Sequence, residues 1–258
     1  MTRDVVLWAR NLTLSYGKRP VLHGVSLELR RGSTLGVVGR SGSGKTALAR
    51  LLAALPPEGA TAHGTLAWPG KEVDLSAWSS ARRRRDVAGH LAWLPQEAQG
   101  ALHAQLRLGS QLAETTRAAG SPADAGALRA WFTTVGLDHA LLDRFPHEVS
   151  GGQAQRAVLA CVLAQSPAVL VADEPTSALD AGTGSAILDV LHGGARDGLF
   201  ALVLVTHDLV AASRCDRLVV LDGGRVAEAG SAAAVLSQPA SEAARRLVAA
   251  TDRLRSAC

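Results

Sequence analysis

Gly39-Arg40-Ser41-Gly42-Ser43-Gly44-Lys45-Thr46 fits the pattern G-x-x-x-x-G-K-[ST] without a mismatch. It stands where that pattern has physical meaning, after the short apolar run Leu35-Gly36-Val37-Val38 and at the opening of the helix-prone stretch Thr46 to Ala54. Glycines let successive backbone N–H groups turn toward a phosphate, and the start of a helix adds the positive end of its dipole. In this arrangement Gly39, Arg40, Ser41, Gly42, Ser43 and Gly44 form the cradle. Lys45 reaches the β- and γ-phosphates, and the Thr46 hydroxyl is placed to ligate Mg²⁺.

About 130 residues further on, Ala168-Val169-Leu170-Val171-Ala172-Asp173-Glu174 reads as an apolar strand ending in two adjacent carboxylates. Such a pair lies at the carboxyl edge of a parallel sheet, where ligands bind. Asp173 suits the Mg²⁺ shell, and Glu174 suits a base for the attacking water. Between the two motifs, Val149-Ser150-Gly151-Gly152-Gln153-Ala154-Gln155-Arg156 puts a pair of glycines before an apolar helix. This second helix start with free N–H groups, far from the first, suggests an active site that draws on two chains. Arg156 either positions that helix or enters a salt bridge.

The remainder of the chain supports an α/β class. Asn11 to Tyr16 and Val21 to Leu29 alternate around a Gly17-Lys18-Arg19-Pro20 turn, as an antiparallel layer does. From about Gly100 to His147 the chain is rich in alanine and leucine, is broken at Gly120-Ser121-Pro122, and reads as a helical insertion. After Ala168, strand and helix alternate (Ala168–Ala172, Gly184–Leu191, Leu202–Thr206, Leu218–Leu221), which predicts a parallel sheet with covering helices. Asp222-Gly223-Gly224-Arg225 reads as a hairpin turn.

At 258 residues, 47% of them hydrophobic, one large α/β unit with an inserted subdomain is expected. The longest clean apolar run, Leu199 to Val205, is far below the ~20 residues a membrane span needs, and Met1 to Asp4 does not resemble a signal peptide. Cys161, Cys215 and Cys258 are odd in number and form no C-x-x-C pair, so a disulfide framework or zinc site is not expected and a reducing compartment fits. Cys161, within an apolar run, reads as a core residue. The charge of +4 suits a surface near phosphates or anionic lipid. Arg82-Arg83-Arg84-Arg85 reads as a solvated face or as a basic edge near a partner or membrane surface. Nine aromatic residues are few for stacked-base readout of nucleic acid.

Taken together, the motifs resemble those of the ATP-binding cassette ATPases over nearly the whole chain. Ser150-Gly151-Gly152-Gln153 is similar to the family signature, with Val149 where leucine is usual. Gln96, after Leu94-Pro95, resembles the Q-loop glutamine, Ser177-Ala178-Leu179-Asp180 the D-loop, and His207 in Val205-Thr206-His207-Asp208 the switch histidine. Tyr16 stands where the family stacks an aromatic ring on adenine. The resemblance implies a P-loop NTPase with a RecA-like core, an antiparallel β subdomain and a helical subdomain at about 97–149, all within one nucleotide-binding domain over 1–258. It implies ATP and Mg²⁺ as ligands, with Glu174, His207 and Gln96 catalytic and Thr46, Gln96 and Asp173 around the metal. Nucleotide contacts are expected from Tyr16, residues 39–46, Ser150, Gly151, Gly152, Gln153 and Asp180. A head-to-tail dimer follows, the second cassette being identical or a paralogue.

Among functions, the energising subunit of a transporter with separate membrane permeases is expected, at the cytoplasmic face of the membrane and without a nucleic-acid partner. The alternatives are an exporter ATPase or a non-transport cassette acting on nucleic acid or the ribosome. Phe145-Pro146-His147-Glu148-Val149-Ser150-Gly151-Gly152 and the tail from Gln238-Pro239 to Ala250 resemble the oligopeptide, dipeptide and nickel importer group. The resemblance therefore implies import of peptides, nickel or a metal chelate, served by an extracytoplasmic solute-binding protein. Gly100-Ala101-Leu102-His103 departs from the group's usual S-L-N-P, and the chain ends without the group's cysteine-bearing extension, so no iron–sulfur cluster is expected. The stretch Glu97 to His103 is the expected coupling surface for the permease.

Overall fold

In the computed structural model, residues 4–77, 87, 89–97, 99–177 and 179–256 are described. The chain runs β1 (Val5–Tyr16), β2 (Arg19–Arg30), β3 (Thr34–Val38), α1 (Lys45–Leu52), β4 (Thr61–Trp68), β5 (Lys71–Asp74) and β6 (Leu91–Leu94). Helices α2 (Leu108–Ala118), α3 (Ala125–Thr134) and α4 (Gly151–Leu163) follow. Then come β7 (Val169–Asp173), α5 (Ala181–Arg196), β8 (Ala201–Val205), α6 (Leu209–Ala212), β9 (Arg217–Asp222), β10 (Arg225–Ser231), α7 (Ala232–Ser237) and α8 (Glu242–Ser256).

The strands make two sheets. One is antiparallel in the order β2-β1-β4-β5. The other runs β10-β9-β3-β8-β7-β6, parallel throughout except for the β10–β9 hairpin at its edge. Both sheets follow from the alternation in the sequence. The turn between β1 and β2 is tighter than the sequence indicates: Arg19 and Pro20 already pair with Tyr16 and Ser15, leaving Gly17 (φ +55°) and Lys18 as the turn. Pro20 is tolerated in a strand because β2 is an edge, where its missing N–H interrupts no ladder.

The parallel strands are buried on both faces, so they read as continuous apolar runs, with successive side chains assigned to different cores. Val37, Val171, Val203, Val205 and Val219 pack with α1 and the antiparallel sheet. Val38, Leu170, Leu202, Leu204, Leu218 and Val220 pack with α2, α3, α4 and α5 through Leu112, Phe132, Val158 and Leu191. Cutting any one of these leucines to alanine is expected to cost about 2–5 kcal/mol, because the sheet cannot collapse onto the gap.

Because β3, β6, β7 and β8 are mutually parallel, their carboxyl ends share one edge. That edge carries the loop after Val38, Gln96 beyond Leu94, the carboxylates at Asp173 and Glu174, and His207 beyond Val205. The α/β class with a helical segment between β6 and α4 is therefore as the sequence indicates. No helix among the described residues is long and apolar enough to cross a membrane. Burial pushes the Cys161 thiol up to about 11 and the Cys215 thiol up to about 12, so both are inert at neutral pH, Cys215 within the core and Cys161 half-buried against it. Arg82 to Arg85, Ala178 and Cys258 lie outside the described residues.

Candidate nucleotide site

The loop 39–46 owes its path to positions where a side chain has no room. A Cβ on Gly39 would stand 2.3 Å from the Leu221 carbonyl oxygen, and Gly42 and Gly44 hold φ of +79° and +98°. Gly44 is also the N-cap of α1 and offers no side-chain cap, so the first-turn N–H groups face an open cleft. That cleft, about 580 Å³, is lined by Ser41, Gly42, Gly44, Lys45, Thr46 and Ala47 on one side and by Gln96, Glu174 and His207 on the other. The loop is anchored from the far end of the chain. The Gly224 N–H donates to the Ser43 carbonyl at 3.0 Å, and the Gly224 carbonyl accepts from His23 N–H at 2.9 Å.

Lys45 is buried, and its ammonium donates to the carbonyls of Gly39 (3.0 Å) and Arg40 (3.1 Å). Burial pushes its pKa down, while the carboxylates of Glu174 and Asp173 pull it back up. Thr46 Oγ1 donates to Asp173 Oδ1 at 3.4 Å. Asp173 is 1% exposed, and burial raises its pKa, with the Glu174 charge adding to the rise and Thr46 and Lys45 opposing it. A carboxylate held in this way favours a cation beside it. The Ser43 hydroxyl, buried in the same loop, has no hydrogen-bond partner among the described residues.

Glu174 adopts φ +46°, a left-handed conformation that costs a non-glycine residue energy and is held here by its surroundings. Its N–H donates to the Val205 carbonyl (2.8 Å), and its own carbonyl accepts from the Ser177 N–H (3.2 Å) and hydroxyl (3.1 Å). The bend aims the carboxylate at His207, with 2.9 Å between Glu174 Oε2 and His207 Nδ1. The His207 side chain remains 65% exposed, open to a ligand. Gln96 Nε2 donates to Ser177 Oγ at 3.3 Å, so Ser177 links the loop after β6 to the backbone of the strained glutamate. The sequence marks Ser177 only as part of a motif, because a bond spanning 81 residues leaves no local pattern.

Six of the sequence-selected side chains therefore meet: Gln96, Lys45, Thr46, Asp173, Glu174 and His207. Beyond the phosphate loop itself, whose Ser41, Gly42 and Gly44 line the same cleft, the others stand apart from it. Tyr16, at the tip of the β1–β2 hairpin, is 44% exposed. Ser150 is the N-cap of α4, its hydroxyl accepting from Gln153 N–H while Gln153 Oε1 accepts from Ser150 N–H. Gly151 has nothing within 4 Å of where a Cβ would sit, whereas a Cβ on Gly152 would approach Thr183 Cγ2 at 3.1 Å. Asp180 is the N-cap of α5, and the Thr183 N–H it accepts holds its carboxyl below the usual range. Arg156 is in no ion pair among the described residues and donates to the Gly136 carbonyl at 2.7 Å, tying α4 to the end of α3. Gln111, which the sequence does not single out, clamps the loop after Gln96: its side chain accepts from His103 N–H and donates to the carbonyls of His103 and Leu106.

The family described as "ABC transporter" matches residues 22–177. The methionine import ATP-binding protein MetN of Caulobacter vibrioides is 37% identical over 243 residues, covering 92% of this chain and 69% of that protein. A putative peptide import ATP-binding protein of Brucella abortus is 34% identical over 239 residues, covering 90% and 69%. Among solved structures, CbiO1 of Clostridium perfringens, described as part of the ABC transporter complex CbiONQ, superposes with a TM-score of 0.75 at 23% identity. It covers 98% of this chain and 96% of that one, and shares the fold.

Proposed function

The chain belongs to the ABC transporter family and is an ATP-hydrolysing subunit of such a transporter, and we propose that it drives import of an amino-acid or peptide solute through separate membrane permeases. The observation that carries this reading is the convergence of Lys45, Thr46, Asp173, Glu174 and His207 at one cleft. The printed functions of its relatives, methionine import and peptide import, support the direction and the solute class. Neither names nickel, and the proposal is restricted accordingly.

Each residue has a role in this reading. Lys45 exchanges its two loop carbonyls for the phosphates of ATP, and the cradle from Gly39 to Gly44 supplies N–H donors. Glu174 takes the proton of the attacking water, and His207 holds that carboxylate and the developing charge. Gln96 senses the site from the loop that continues toward the permease. The paired oxygens of Thr46 and Asp173, with Asp173 buried, fit a Mg²⁺ ion, which would neutralise phosphate charge during transfer. Ser150, Gly151, Gly152, Gln153 and Asp180 serve the phosphates of a second subunit, and Tyr16 stacks on adenine. On this reading residues 97–149 form the helical subdomain, with Glu97 to His103 meeting the permease. The chain then sits at the cytoplasmic face of the membrane, and a solute-binding protein delivers cargo from the other side.

The test is uptake of labelled methionine and of a labelled dipeptide by cells whose only copy carries Lys45→Ala. Loss of either, together with at least tenfold weaker ATP binding (about 1.4 kcal/mol) by the purified variant, supports the proposal. Unchanged uptake of both solutes overturns it.

A further inference from the structure

Away from the nucleotide cleft, a second cavity of about 330 Å³ opens where three helices end. Trp131 and Thr134 from the last turn of α3, Leu163 at the end of α4, and Gly193 and Asp197 at the end of α5 line it, with Phe200 at the start of the next strand. Its walls are mostly apolar, and its volume falls at the lower end of small-molecule sites, enough for one ring and a short arm. Helix α5 begins at its N-cap Asp180 and runs 16 residues, about 24 Å, so this cavity lies a full helix length from the D-loop.

The charged side chains among the described residues that line the cavity are carboxylates. Each helix dipole has its negative end at the C-terminus, and three such ends converge here, their last-turn carbonyls (Trp131, Phe132, Thr133, Leu163, Gly193 and Gly194 among them) being capped by N–H groups just beyond the helices. Two carboxylates add to this. Asp189 is largely neutralised by Arg214 at 2.7 Å, but Asp197, the C-cap of α5, has no ion-pair partner among the described residues. Arg196, in the same last turn, does not line the cavity. Trp131 contributes an aromatic ring to the lining, a group whose face attracts cations. Access is kept by glycine: a Cβ on Gly193 would meet nothing within 4 Å, so that face of α5 is open rather than filled.

We propose that this cavity is a second ligand site, selective for a small organic cation: a protonated amine on a compact aromatic or branched aliphatic body. The apolar body fills the space among Trp131, Leu163 and Phe200, and the ammonium lies toward Asp197 and the three helix ends. Such a ligand touches both α3, in the helical segment, and α5, which leads back to Asp180, and so bridges the two halves of the fold.

The test uses phenethylammonium, with phenylacetate and phenethyl alcohol as anionic and neutral isosteres, titrated calorimetrically into the full chain. The ammonium is expected to bind at least tenfold tighter than the carboxylate. Asp197→Asn should lower that preference by about threefold, the worth of one partly exposed charge near helix ends. Gly193→Leu, whose side chain would occupy the cavity, should abolish binding of the amine while ATP affinity stays as in the parent. Trp131→Ala is the second variant should Gly193→Leu fail to fold, and it should weaken the amine at least fivefold. Equal affinity for cation and anion, no binding of the amine, or undiminished binding to the folded cavity variant overturns the proposal.

Discussion

The phosphate loop at 39–46 and the signature at 150–153 are built alike, glycines leading into a helix, yet the molecule treats them in opposite ways. The first is bound into the core: Gly39 abuts the Leu221 carbonyl, Ser43 is pinned by Gly224, and Lys45 is buried among carbonyls and carboxylates. The second is closed upon itself, its serine and glutamine capping their own helix, with open space at Gly151. On the proposed reading, one half of the site is complete within the chain, while the other serves the phosphates of a second subunit.

The largest expected effect sharpens the first half. Glu174→Gln should lower hydrolysis by about 10²–10⁴-fold, the usual worth of a general base, with ATP affinity retained, as phosphate release and nucleotide titration would show. An unchanged rate would remove Glu174 from the chemistry. Next come two glycines with opposite outcomes. Gly39→Ala should lose nucleotide binding and about 1–3 kcal/mol of stability, because its Cβ meets backbone that cannot turn aside. Gly151→Ala should leave the melting temperature and ATP binding by the isolated chain untouched, yet depress ATPase activity of the assembled transporter. Equal behaviour of the two variants in thermal melts and in nucleotide titration would erase the distinction between the halves.

Ser150→Ala tests the signature's double duty. Loss of the N-cap should cost about 1 kcal/mol in chemical denaturation while the phosphate-loop cleft binds ATP as before. The smallest effect concerns Asp173, whose pKa in the folded protein lies above its ordinary value. The folded state then binds that proton more tightly than the unfolded chain does. The associated stability is present at acid pH, and is lost as pH rises from the ordinary carboxylate value through the folded one. At neutral pH the ionised, buried group is therefore a net burden on the folded protein. Asp173→Asn should accordingly melt higher than the parent at pH 7, a gap that closes as the pH falls toward the ordinary carboxylate value. A gap that widens on acidification would reverse the sign of the argument.

What the sequence discloses and what it conceals divide along similar lines. The phosphate loop, the paired carboxylates and the strand–helix alternation are legible because each is a local spacing between covalent neighbours. The meeting of Gln96, Ser177 and Glu174 is only half legible, since the hydrogen bond joining the first two spans 81 residues. The clamp of Gln111 on His103 and Leu106 is invisible for another reason: a glutamine on a helix face has no preferred partner until the loop folds over it. The Gly17 turn came out two residues shorter because proline is a turn former that an edge strand also accepts. Tyr16 and Ser150 to Gln153 are picked out by pattern alone, and the partners proposed for them, nucleotide and another chain, leave no spacing in this sequence to read.

Gly223 and Gly224 look like the safest place in the chain to interrupt, a two-residue tip between the last strands. The second of them is among the least forgiving. Gly224 bonds both to Ser43 and to His23, and a Cβ there would fall 2.1 Å from the Val21 carbonyl oxygen. The tip thus fastens the nucleotide loop to the antiparallel sheet from nearly two hundred residues away in sequence. An engineer seeking a site for an epitope, a fluorophore or new termini should choose the open turn at Gly59 instead, where nothing lies within 4 Å. A domain inserted at Gly224 would act as a remote lock on the phosphate loop, converting any motion of the insert into a change in nucleotide grip.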